Sequence, residues 1–387
     1  MNKLKITHVA LCGPVTDNMA YQDNLLPKYH KKLGLDVSMI TSKYVWDKGS
    51  IGIDYRDFYI NEYGIKTIRL DNKFNSNINS KFKKYHNLYE ILNNEKPDIL
   101  FVHGVQFLDI KTIVKYIKVN PQVKLYVDNH ADFSNSATNW VSKNILHKNI
   151  WKKMAKMIEP YTTKFYGVLP ARVDFLENIY NLPKEKVDLL VMGADDEKVK
   201  EAATQESKTK VREHLNIKKD DFMIVTGGKI DKAKRQVLNL MKVVAELKDS
   251  KVKLIVYGSV IPEMKEQVNY LAENESIEYI GWINNDQSYQ LFSAADLVVF
   301  PGRHSVYWEQ VVAMGTPMVV KYWNGTTHID IGGNCEFLYE DTEEELSTVL
   351  KKIIYNPKNY DEMLQNAQKN KRTDFLYSRI AEKSIGH

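Results

Sequence analysis

Three side chains with complementary chemistry lie close together within residues 298–320. His304 and Ser305 follow Pro301-Gly302, and Glu309 comes about one helical turn later. A buried strand that ends at Pro-Gly and leads into a helix leaves free backbone N–H groups, which can hold an anion. Ser305 suits the N-cap, His304 adds a donor, and the Glu309 carboxylate can accept hydrogen bonds from two ribose hydroxyls. The ligand that this pattern suits best is a diphosphate-sugar nucleotide.

A second group of donors lies in residues 227–235, between a predicted strand and a predicted helix. Its two glycines let the backbone approach a ligand closely. Lys229 and Lys234 stand on either side of the turn, so both ammonium groups can face one pyrophosphate, and Arg235 follows them. The alternative is a solvated basic turn, which is common in lysine-rich sequences.

Residues 298–320 resemble the donor-site signature of the retaining glycosyltransferase family 4, whose members have the GT-B fold. That signature has two acids with seven residues between them, followed by Ala-Met-Ala-x-Gly-x-Pro, and its tail corresponds to Ala313–Pro317 here. Counting back from Gly315 places Gln310 at the second acid and Gly302 at the first. We therefore take Glu309 as the working acid, displaced by one residue.

The resemblance assigns Lys229 and Lys234 to neutralisation of the donor diphosphate, with Arg235 in place of the family's glycine. His304 and Ser305 would add contacts to the same diphosphate. No Asp-x-Asp triplet occurs in the sequence. The family mechanism therefore predicts no metal and no cofactor beyond the nucleoside diphosphate sugar, with a UDP-sugar weakly favoured.

The nucleobase is expected to pack against two glycine turns that follow predicted strands. The resemblance places it near Gly258 in one turn and near Trp282 and Ile283 in the other. Both turns could equally be ordinary strand ends, because glycine is common where strands stop.

On the N-terminal side, two histidines follow consecutive predicted strands. His130 matches the place of a histidine that family 4 members commonly carry near the donor sugar and the acceptor, which makes it the predicted catalytic residue. His103 is the competing candidate. A single histidine is more often a packed or surface residue than a catalytic one.

The first strand is followed by a turn that corresponds to the family's flexible glycine loop over the acceptor. It contains a single glycine, Gly13, and its polar side chains suit sugar hydroxyls; these are Asp17, Asn18, Tyr21 and Gln22. The other interpretation of this turn is a helix start capped by Asp17 or Asn18.

Strand-like and helix-like segments alternate along the chain, which predicts α/β architecture with parallel sheets covered by helices. We expect a GT-B fold of two Rossmann-like, doubly wound domains that face a cleft. Residues 1–195 would form the acceptor-binding domain and residues 196–370 the nucleotide-sugar-binding domain. The C-terminal helix, 371–387, is expected to pack back on the first domain, or alternatively on the second domain alone.

Composition excludes several other classes of protein. A chain of 387 residues with 43% hydrophobic and 27% charged residues is typical of a soluble protein with two domains. Its apolar runs are far shorter than the ~18–20 residues that span a membrane. Cys12 and Cys335 are far apart and show no disulfide or zinc pattern, which fits a cytoplasmic location. The net charge of +5 is modest, and no nucleic-acid-binding motif accompanies it.

Residues 144–165 interleave lysines with large apolar side chains. Such a segment can lie on anionic lipid headgroups, which would allow peripheral contact with the inner face of the cell membrane. The alternative is that the segment simply covers the hydrophobic core, on which the aliphatic parts of its lysine side chains pack.

These features lead to the expectation of a hexosyltransferase that retains configuration, needs no metal and acts on a glycan or a lipid-linked acceptor. Synthesis of a cell-surface polysaccharide or glycolipid would suit it. The alternatives are a catalytically inactive glycosyltransferase-like binding subunit, or a GT-B epimerase or phosphorylase.

Overall fold

The computed structural model describes residues 3–47, 50–74 and 82–386, and its chain divides into two compact units. The first unit comprises Met1–Met192 and Tyr377–His387, and the second comprises Gly193–Leu376. Each unit is built on a parallel sheet, so the predicted α/β class with two Rossmann-like domains is confirmed.

The sheet of the first unit has eight strands in the order β10-β9-β8-β7-β1-β2-β6-β5. All neighbours are parallel except β5 and β6. A separate antiparallel hairpin joins β3 to β4. The ten strands are β1 Lys5–Ala10, β2 Asp36–Ser42, β3 Tyr44–Asp47, β4 Ser50–Ile53, β5 Phe58–Ile60, β6 Lys66–Leu70, β7 Ile99–His103, β8 Lys124–Asn129, β9 Lys164–Gly167 and β10 Val187–Leu189.

Helices of three kinds accompany this sheet. The α-helices are Gln22–Lys32, Leu88–Glu95, Ile110–Val119, Lys152–Ile158 and Pro170–Asn178, and the last helix of the chain is Tyr377–Ser384. Ser142–Trp151 is a π-helix, and Glu159–Tyr161 and Lys184–Lys186 are short 3₁₀ turns.

Two apolar cores cover the two faces of this sheet, because successive side chains of a strand point to opposite faces. Val9, Leu100 and Leu125 belong to one core, together with four of the intervening helices. Ile6 and Phe101 belong to the other core, which is completed by the helix Gln22–Lys32 and the last helix. The last helix therefore forms part of the first unit, although it is distant in sequence.

Hydrogen bonds also fix the end of the last helix. The hydroxyls of Tyr126 and Tyr166 donate to the carbonyl oxygens of Ile385 and Lys383, at 3.0 and 3.1 Å. The ammonium group of Lys383 donates to the Leu189 carbonyl at 2.7 Å. Terminal carbonyls that lack partners within their own helix thus find them on the sheet.

The sheet of the second unit has six parallel strands in the order β13-β12-β11-β14-β15-β16. They are β11 Phe222–Gly227, β12 Val252–Tyr257, β13 Ile277–Tyr279, β14 Leu297–Phe300, β15 Met318–Lys321 and β16 Cys335–Leu338. Its α-helices are Asp196–Ala202, Gln205–His214, Gln236–Leu247, Pro262–Leu271, Asn285–Ala294, Tyr307–Met314, Glu343–Ile354 and Pro357–Ala367. Its 3₁₀ turns are Lys232–Lys234, Thr327–Ile329 and Asn370–Phe375.

No helix within the described ranges is long and apolar enough to cross a membrane.

Candidate functional site

Three turns converge at the carboxyl ends of β11, β12 and β13. The N–H of Gly228 donates to the Tyr257 carbonyl at 3.1 Å, and the N–H of Gly258 donates to the Gly281 carbonyl at 2.7 Å. Gly228 and Gly258 both have positive φ, and a Cβ at Gly258 would overlap the Gly228 carbonyl oxygen. Gly258 is therefore required for this close approach.

Lys234 lies against this group of turns. Its Nζ is 3.6 Å from the position that a Cβ at Gly228 would occupy. The side chain is half-buried and has no ion pair with any residue of the described chain. Burial lowers the pKa of Lys234, although the charge of Asp231 opposes this effect. A half-buried ammonium group without an ion pair in the described chain is suited to an anion.

Two of the other cations of the basic turn, Lys229 and Arg235, stand further out. The side chain of Lys229 is 69% exposed and its Nζ lies 3.9 Å from Asp231 Oδ2. Arg235 is also exposed. Asp231 caps the short turn that carries Lys234 by accepting from the N–H of Ala233 at 2.9 Å. The structure thus brings Lys234 to the glycine turns and leaves Lys229 and Arg235 in solvent.

The loop after β14 packs against the same basic turn. A Cβ at Gly302 would lie 3.3 Å from the Cα of Lys234. Behind this loop the helix starts at Tyr307, and its N-cap is Val306, without a side-chain cap. The prediction that Ser305 caps this helix is wrong, because its carbonyl accepts from the N–H of Trp308 in a tight turn and Val306 already has helical backbone angles. The predicted helix end is confirmed, with Gly315 left-handed at φ 74°.

Glu309 is completely buried and accepts two hydrogen bonds at one oxygen. Its Oε1 lies 2.8 Å from His304 Nε2 and 2.9 Å from His328 Nε2. Burial alone would raise the pKa of Glu309, but the two histidines lower it to about 2. Its Oε2 is buried and has no partner among the described residues. The carboxylate is therefore ionised and fixed by the two imidazoles.

The ribose contact of Glu309 remains a prediction. Gln310 is also buried, and its side-chain oxygen likewise has no partner in the described part of the chain. Burial therefore does not indicate whether Glu309 or Gln310 contacts the ribose. Sequence reasoning missed His328, although its position shortly after β15, the strand next to β14, was a usable signal.

The distances in the His304–Glu309–His328 cluster are those of hydrogen bonds. Two ligand atoms bound to a tetrahedral zinc ion at about 2.0–2.1 Å would be separated by roughly 3.3 Å. The observed 2.8 and 2.9 Å are shorter. The cluster therefore has the geometry of a carboxylate that orients two histidines.

The residues predicted to contact the base are divided between two places. Trp282, which is 73% exposed, and Ile283, which is buried, line a cavity of about 390 Å³ together with the helix Gln205–His214. Gly258 does not line this cavity and belongs to the glycine turns. The base-binding role of all three residues remains a prediction.

The first unit has its own polar cluster, at the carboxyl ends of β7 and β8. One oxygen of Asp128, Oδ2, faces His103 Nδ1 at 2.9 Å and His130 Nε2 at 3.4 Å, and it accepts from Gln22 Nε2 at 3.2 Å. Burial opposes ionisation of Asp128, but the two histidines hold its pKa well below the ordinary value. His103 and Asp128 are register partners, which explains their contact.

The two histidine candidates differ in access to solvent. The side chain of His130 is 39% exposed, whereas His103 is buried and also contacts Asp23 Oδ1 at 3.1 Å. A group that reacts with a substrate must be reachable, so this difference favours His130. Its catalytic role remains a prediction.

The predicted acceptor loop is partly engaged in internal contacts. Asp17 accepts from Arg56 Nη2 and from the Tyr59 hydroxyl, both at 2.9 Å. Gln22 points to Asp128, as described above. To bind an acceptor, Asp17 and Gln22 would have to break these hydrogen bonds and form new ones with the acceptor.

The helix that follows this loop starts at Gln22, and its N-cap is Tyr21, without a side-chain cap. The alternative prediction of a cap at Asp17 or Asn18 is therefore wrong. Asn18 is left-handed at φ 61°, and its N–H donates to Glu62 at 2.6 Å. Gly13 has open space around it, so its conformation does not require glycine. The Tyr21 ring is exposed, and Asn18 is exposed as well.

Comparison with known proteins agrees with this geometry. Residues 207–370 match the family described as "Glycosyl transferases group 1". An uncharacterized glycosyltransferase of Methanocaldococcus jannaschii is 20% identical over 216 residues, which cover 54% of this chain and 55% of that protein. The chain thus matches about half the length of this relative.

Solved structures match along the whole chain. A glycosyltransferase from Rickettsia africae has a TM-score of 0.70 at 16% identity and covers 100% of this chain and 97% of its own. HepE from Anabaena, solved in complex with UDP, has a TM-score of 0.68 at 14% identity and covers 98% of each chain. A further structure of HepE contains UDP-glucose.

The likeness to these solved structures defines the fold of the chain as GT-B. Within this fold, residues 207–370 are similar to the group 1 glycosyl transferases.

Proposed function

We propose that this protein transfers a hexose from a nucleoside diphosphate sugar to a glycan or a lipid-linked acceptor, with retention of configuration and without a metal, as in family 4. The observation that carries the proposal is Lys234, a half-buried ammonium group without an ion pair in the described chain. It lies beside the glycine turns at the carboxyl ends of parallel strands, where α/β sheets bind their ligands.

The chemistry of the leaving group explains why this position matters. A nucleoside diphosphate gains negative charge as its bond to the sugar breaks. Preorganised cations and backbone N–H groups stabilise that charge in the transition state. Lys234, with the free N–H groups ahead of the helix Tyr307–Met314, would supply this stabilisation in place of a metal ion.

UDP is the favoured nucleotide of the donor. HepE, which shares the fold over nearly the whole chain, has been solved with UDP and with UDP-glucose. The identity to HepE is 14%, so the nucleotide is extended to this chain as part of the proposal.

Retention by front-face transfer fits the state of the two buried carboxylates. Asp128 Oδ2 and Glu309 Oε1 each face two histidines. Carboxylate oxygens that accept several hydrogen bonds are weak nucleophiles, because attack would require those bonds to break. The second oxygen of each carboxylate, Asp128 Oδ1 and Glu309 Oε2, is buried. Assistance by the departing phosphate avoids the need for a covalent intermediate on either residue.

Incubation with a panel of UDP-, GDP- and ADP-sugars tests the proposal. We expect slow release of the sugar from one donor in the absence of acceptor, with the α configuration retained in the first product. No release from any donor would support an inactive binding subunit. Release that depends on orthophosphate would indicate a phosphorylase, and an altered sugar nucleotide would indicate an epimerase.

We further propose that a basic apolar face of the first unit contacts anionic lipid. Trp140, Val141 and Ile145 are exposed at the start of the segment 140–158. That segment contains five lysines and no acidic residue, and Lys148 and Lys153 are exposed. On its other side, Trp151, Met154 and Ile158 are buried in the core. An exposed indole and exposed aliphatic side chains, beside two lysines without an ion pair among the described residues, complement an anionic bilayer surface.

Vesicle sedimentation tests this contact. The protein should sediment with phosphatidylglycerol vesicles and remain in solution with phosphatidylcholine vesicles. The double variant Lys148→Glu/Lys153→Glu should lose binding, whereas Lys251→Glu/Lys371→Glu, an equal charge change at exposed positions outside this segment, should retain it. Equal loss in both variants would show that net charge alone drives association.

A further inference from the structure

A continuous chain of hydrogen-bonded groups runs through the first unit from the Asp128 carboxylate to the last helix. Asp128 Oδ2 faces His103 Nδ1 at 2.9 Å, and His103 Nε2 faces His8 Nδ1 at 2.9 Å. His8 Nε2 then faces His30 Nδ1 at 2.9 Å, and His30 Nε2 faces Ser384 Oγ at 2.8 Å. Every ring nitrogen of three successive imidazoles is used.

All the residues of this hydrogen-bonded series are removed from solvent. The exposure of His8, His30, Asp128 and Ser384 is 0%, and that of His103 is 3%. The alternation of side chains along β1, β7 and β8 places His8, His103 and Asp128 on the face that the last helix covers. Buried polar atoms of this kind must be paired, so each proton position in the chain constrains the next.

With His103 neutral, the proton positions follow from the carboxylate. Asp128 can only accept, so His103 carries its proton on Nδ1 and accepts at Nε2. His8 and His30 must then both carry their protons on Nδ1, and Ser384 must donate to His30 Nε2. The Ala381 carbonyl, 3.2 Å from His30 Nε2, loses the Ser384 hydroxyl as donor and faces a ring lone pair.

With His103 protonated on both nitrogens, the donor and acceptor roles are reversed in each hydrogen bond from His103 to Ser384. His103 donates from both nitrogens, and His8 and His30 donate from Nε2. The N–H of His30 reaches Ser384 Oγ and the Ala381 carbonyl, and the Ser384 hydroxyl donates to Ala381 at 2.9 Å. Every donor and every acceptor at the last helix is then satisfied.

We propose that His103 holds a buried proton, and that this proton orients His8 and His30 so that they donate to the last helix and hold it on the first unit. The chain is therefore a proton-linked latch, and it operates independently of which sugar or acceptor the protein uses.

The charged groups around the chain support this assignment. Two carboxylates, Asp128 and Asp23, lie within 3.1 Å of His103 Nδ1. Burial opposes protonation of His103, but these carboxylates raise its pKa above the ordinary 6.5. Burial and the neighbouring histidines lower the pKa of His8, and burial lowers that of His30 to about 3, so both stay neutral. Other titratable neighbours of the Asp128 carboxylate are His130, whose Nε2 lies 3.4 Å from Oδ2, and the thiol of Cys12.

The sign of the pH dependence follows from the raised pKa. A group that binds its proton more tightly in the folded state contributes stability that is complete below its ordinary pKa of 6.5. That contribution is lost as the pH rises through the raised value. The last helix should therefore be held more weakly at alkaline pH.

Nitrogen-15 spectra of the full chain labelled in histidine test the proton positions directly. Single His→Asn variants at positions 8, 30 and 103 assign the signals. At pH 6.5 we expect His103 to be doubly protonated and His8 and His30 to carry their protons on Nε2. Protons on Nδ1 of His8 and His30, with a neutral His103, would overturn the proposal.

Hydrogen exchange of residues 378–386 tests the latch. Between pH 6 and pH 9, protection factors corrected for the intrinsic rate should fall about tenfold, which corresponds to about 1.4 kcal/mol of lost stability. Tyr166→Phe removes another contact to the last helix, so it should lower protection equally at both pH values and keep the fall. His103→Asn should abolish this pH-dependent fall in protection. A fall in His103→Asn as large as that in the wild type would contradict the latch.

Discussion

The two units each contain a buried carboxylate oxygen that faces two histidines, but the surroundings of the two clusters differ. In the first unit, Asp128 is joined to Asp23 through His103, and the chain of imidazoles continues to the last helix. In the second unit, Glu309 fixes His304 and His328. Lys234, in the basic turn, has no ion pair in the described chain.

This difference indicates where an external anion can be bound. In the first unit, Asp128 Oδ2 and the imidazoles of His103 and His130 are hydrogen-bond partners, so the cluster fixes the structure around the half-exposed His130. In the second unit, Lys234 is half-buried and has no ion pair in the described chain. A folded protein tolerates such a cost when a ligand later supplies the missing charge.

Removal of the unpaired cation should have the largest effect. Lys234→Ala should lower kcat/KM for the cognate donor by about 30- to 1000-fold, corresponding to roughly 2–4 kcal/mol, the scale of losing one preorganised group. Lys229→Ala should lower it less than tenfold, because that side chain is mostly in solvent. Steady-state kinetics measures both, with the exposed Lys232→Ala as control. A larger loss at Lys229 than at Lys234 would reverse this assignment.

Loss of the Glu309 charge should have the next largest effect. Glu309→Gln should weaken binding of the nucleoside diphosphate by about ten- to a hundredfold, since charge-assisted hydrogen bonds contribute roughly 1.5–3 kcal/mol. Gln310→Ala on the same helix is the matched comparison and should weaken binding less. Calorimetric titration with UDP decides between them. A large loss at Gln310 with none at Glu309 would place the ribose contact at Gln310.

The same carboxylate should influence stability in acid. Its pKa is lowered in the folded state to about 2, so its contribution is complete above the ordinary 4.5 and is lost as the pH falls toward 2. Urea unfolding at pH 7, 4 and 3 should therefore show a smaller acid-induced loss in Glu309→Gln than in the wild type. Parallel losses in the two proteins would mean that the His304–Glu309–His328 cluster does not hold this charge.

Chelation should have the smallest effect. Activity should be unchanged by EDTA, because the proposed stabilisation of the leaving diphosphate comes from Lys234 and backbone N–H groups. The measurement is donor turnover before and after dialysis against EDTA. Loss of activity that magnesium or manganese restores would contradict the metal-free mechanism.

Much of the fold could be predicted from the sequence because the signals are local. The strand Leu297–Phe300 and the helix end at Gly315 agree with the sequence analysis, since an apolar run and a glycine that stops a helix are recognisable without the rest of the chain. The start of this helix was predicted too early, with Ser305 as the N-cap, whereas the helix starts at Tyr307. Cap geometry depends on the backbone angles of Ser305 and Val306, which residue types alone do not determine.

The sequence by itself determined the parallel α/β architecture and the glycine and lysine turn at 227–235, because periodicity and turn residues act over a few positions. The tertiary structure decided which of these side chains meet. It placed Lys234 and not Lys229 beside the glycine turns, joined His328 to Glu309 from the neighbouring strand end, and connected His8 and His30 to a helix more than 350 residues further along the chain. Such contacts depend on strand order, register and burial, and these are properties of the packed chain that no short segment contains.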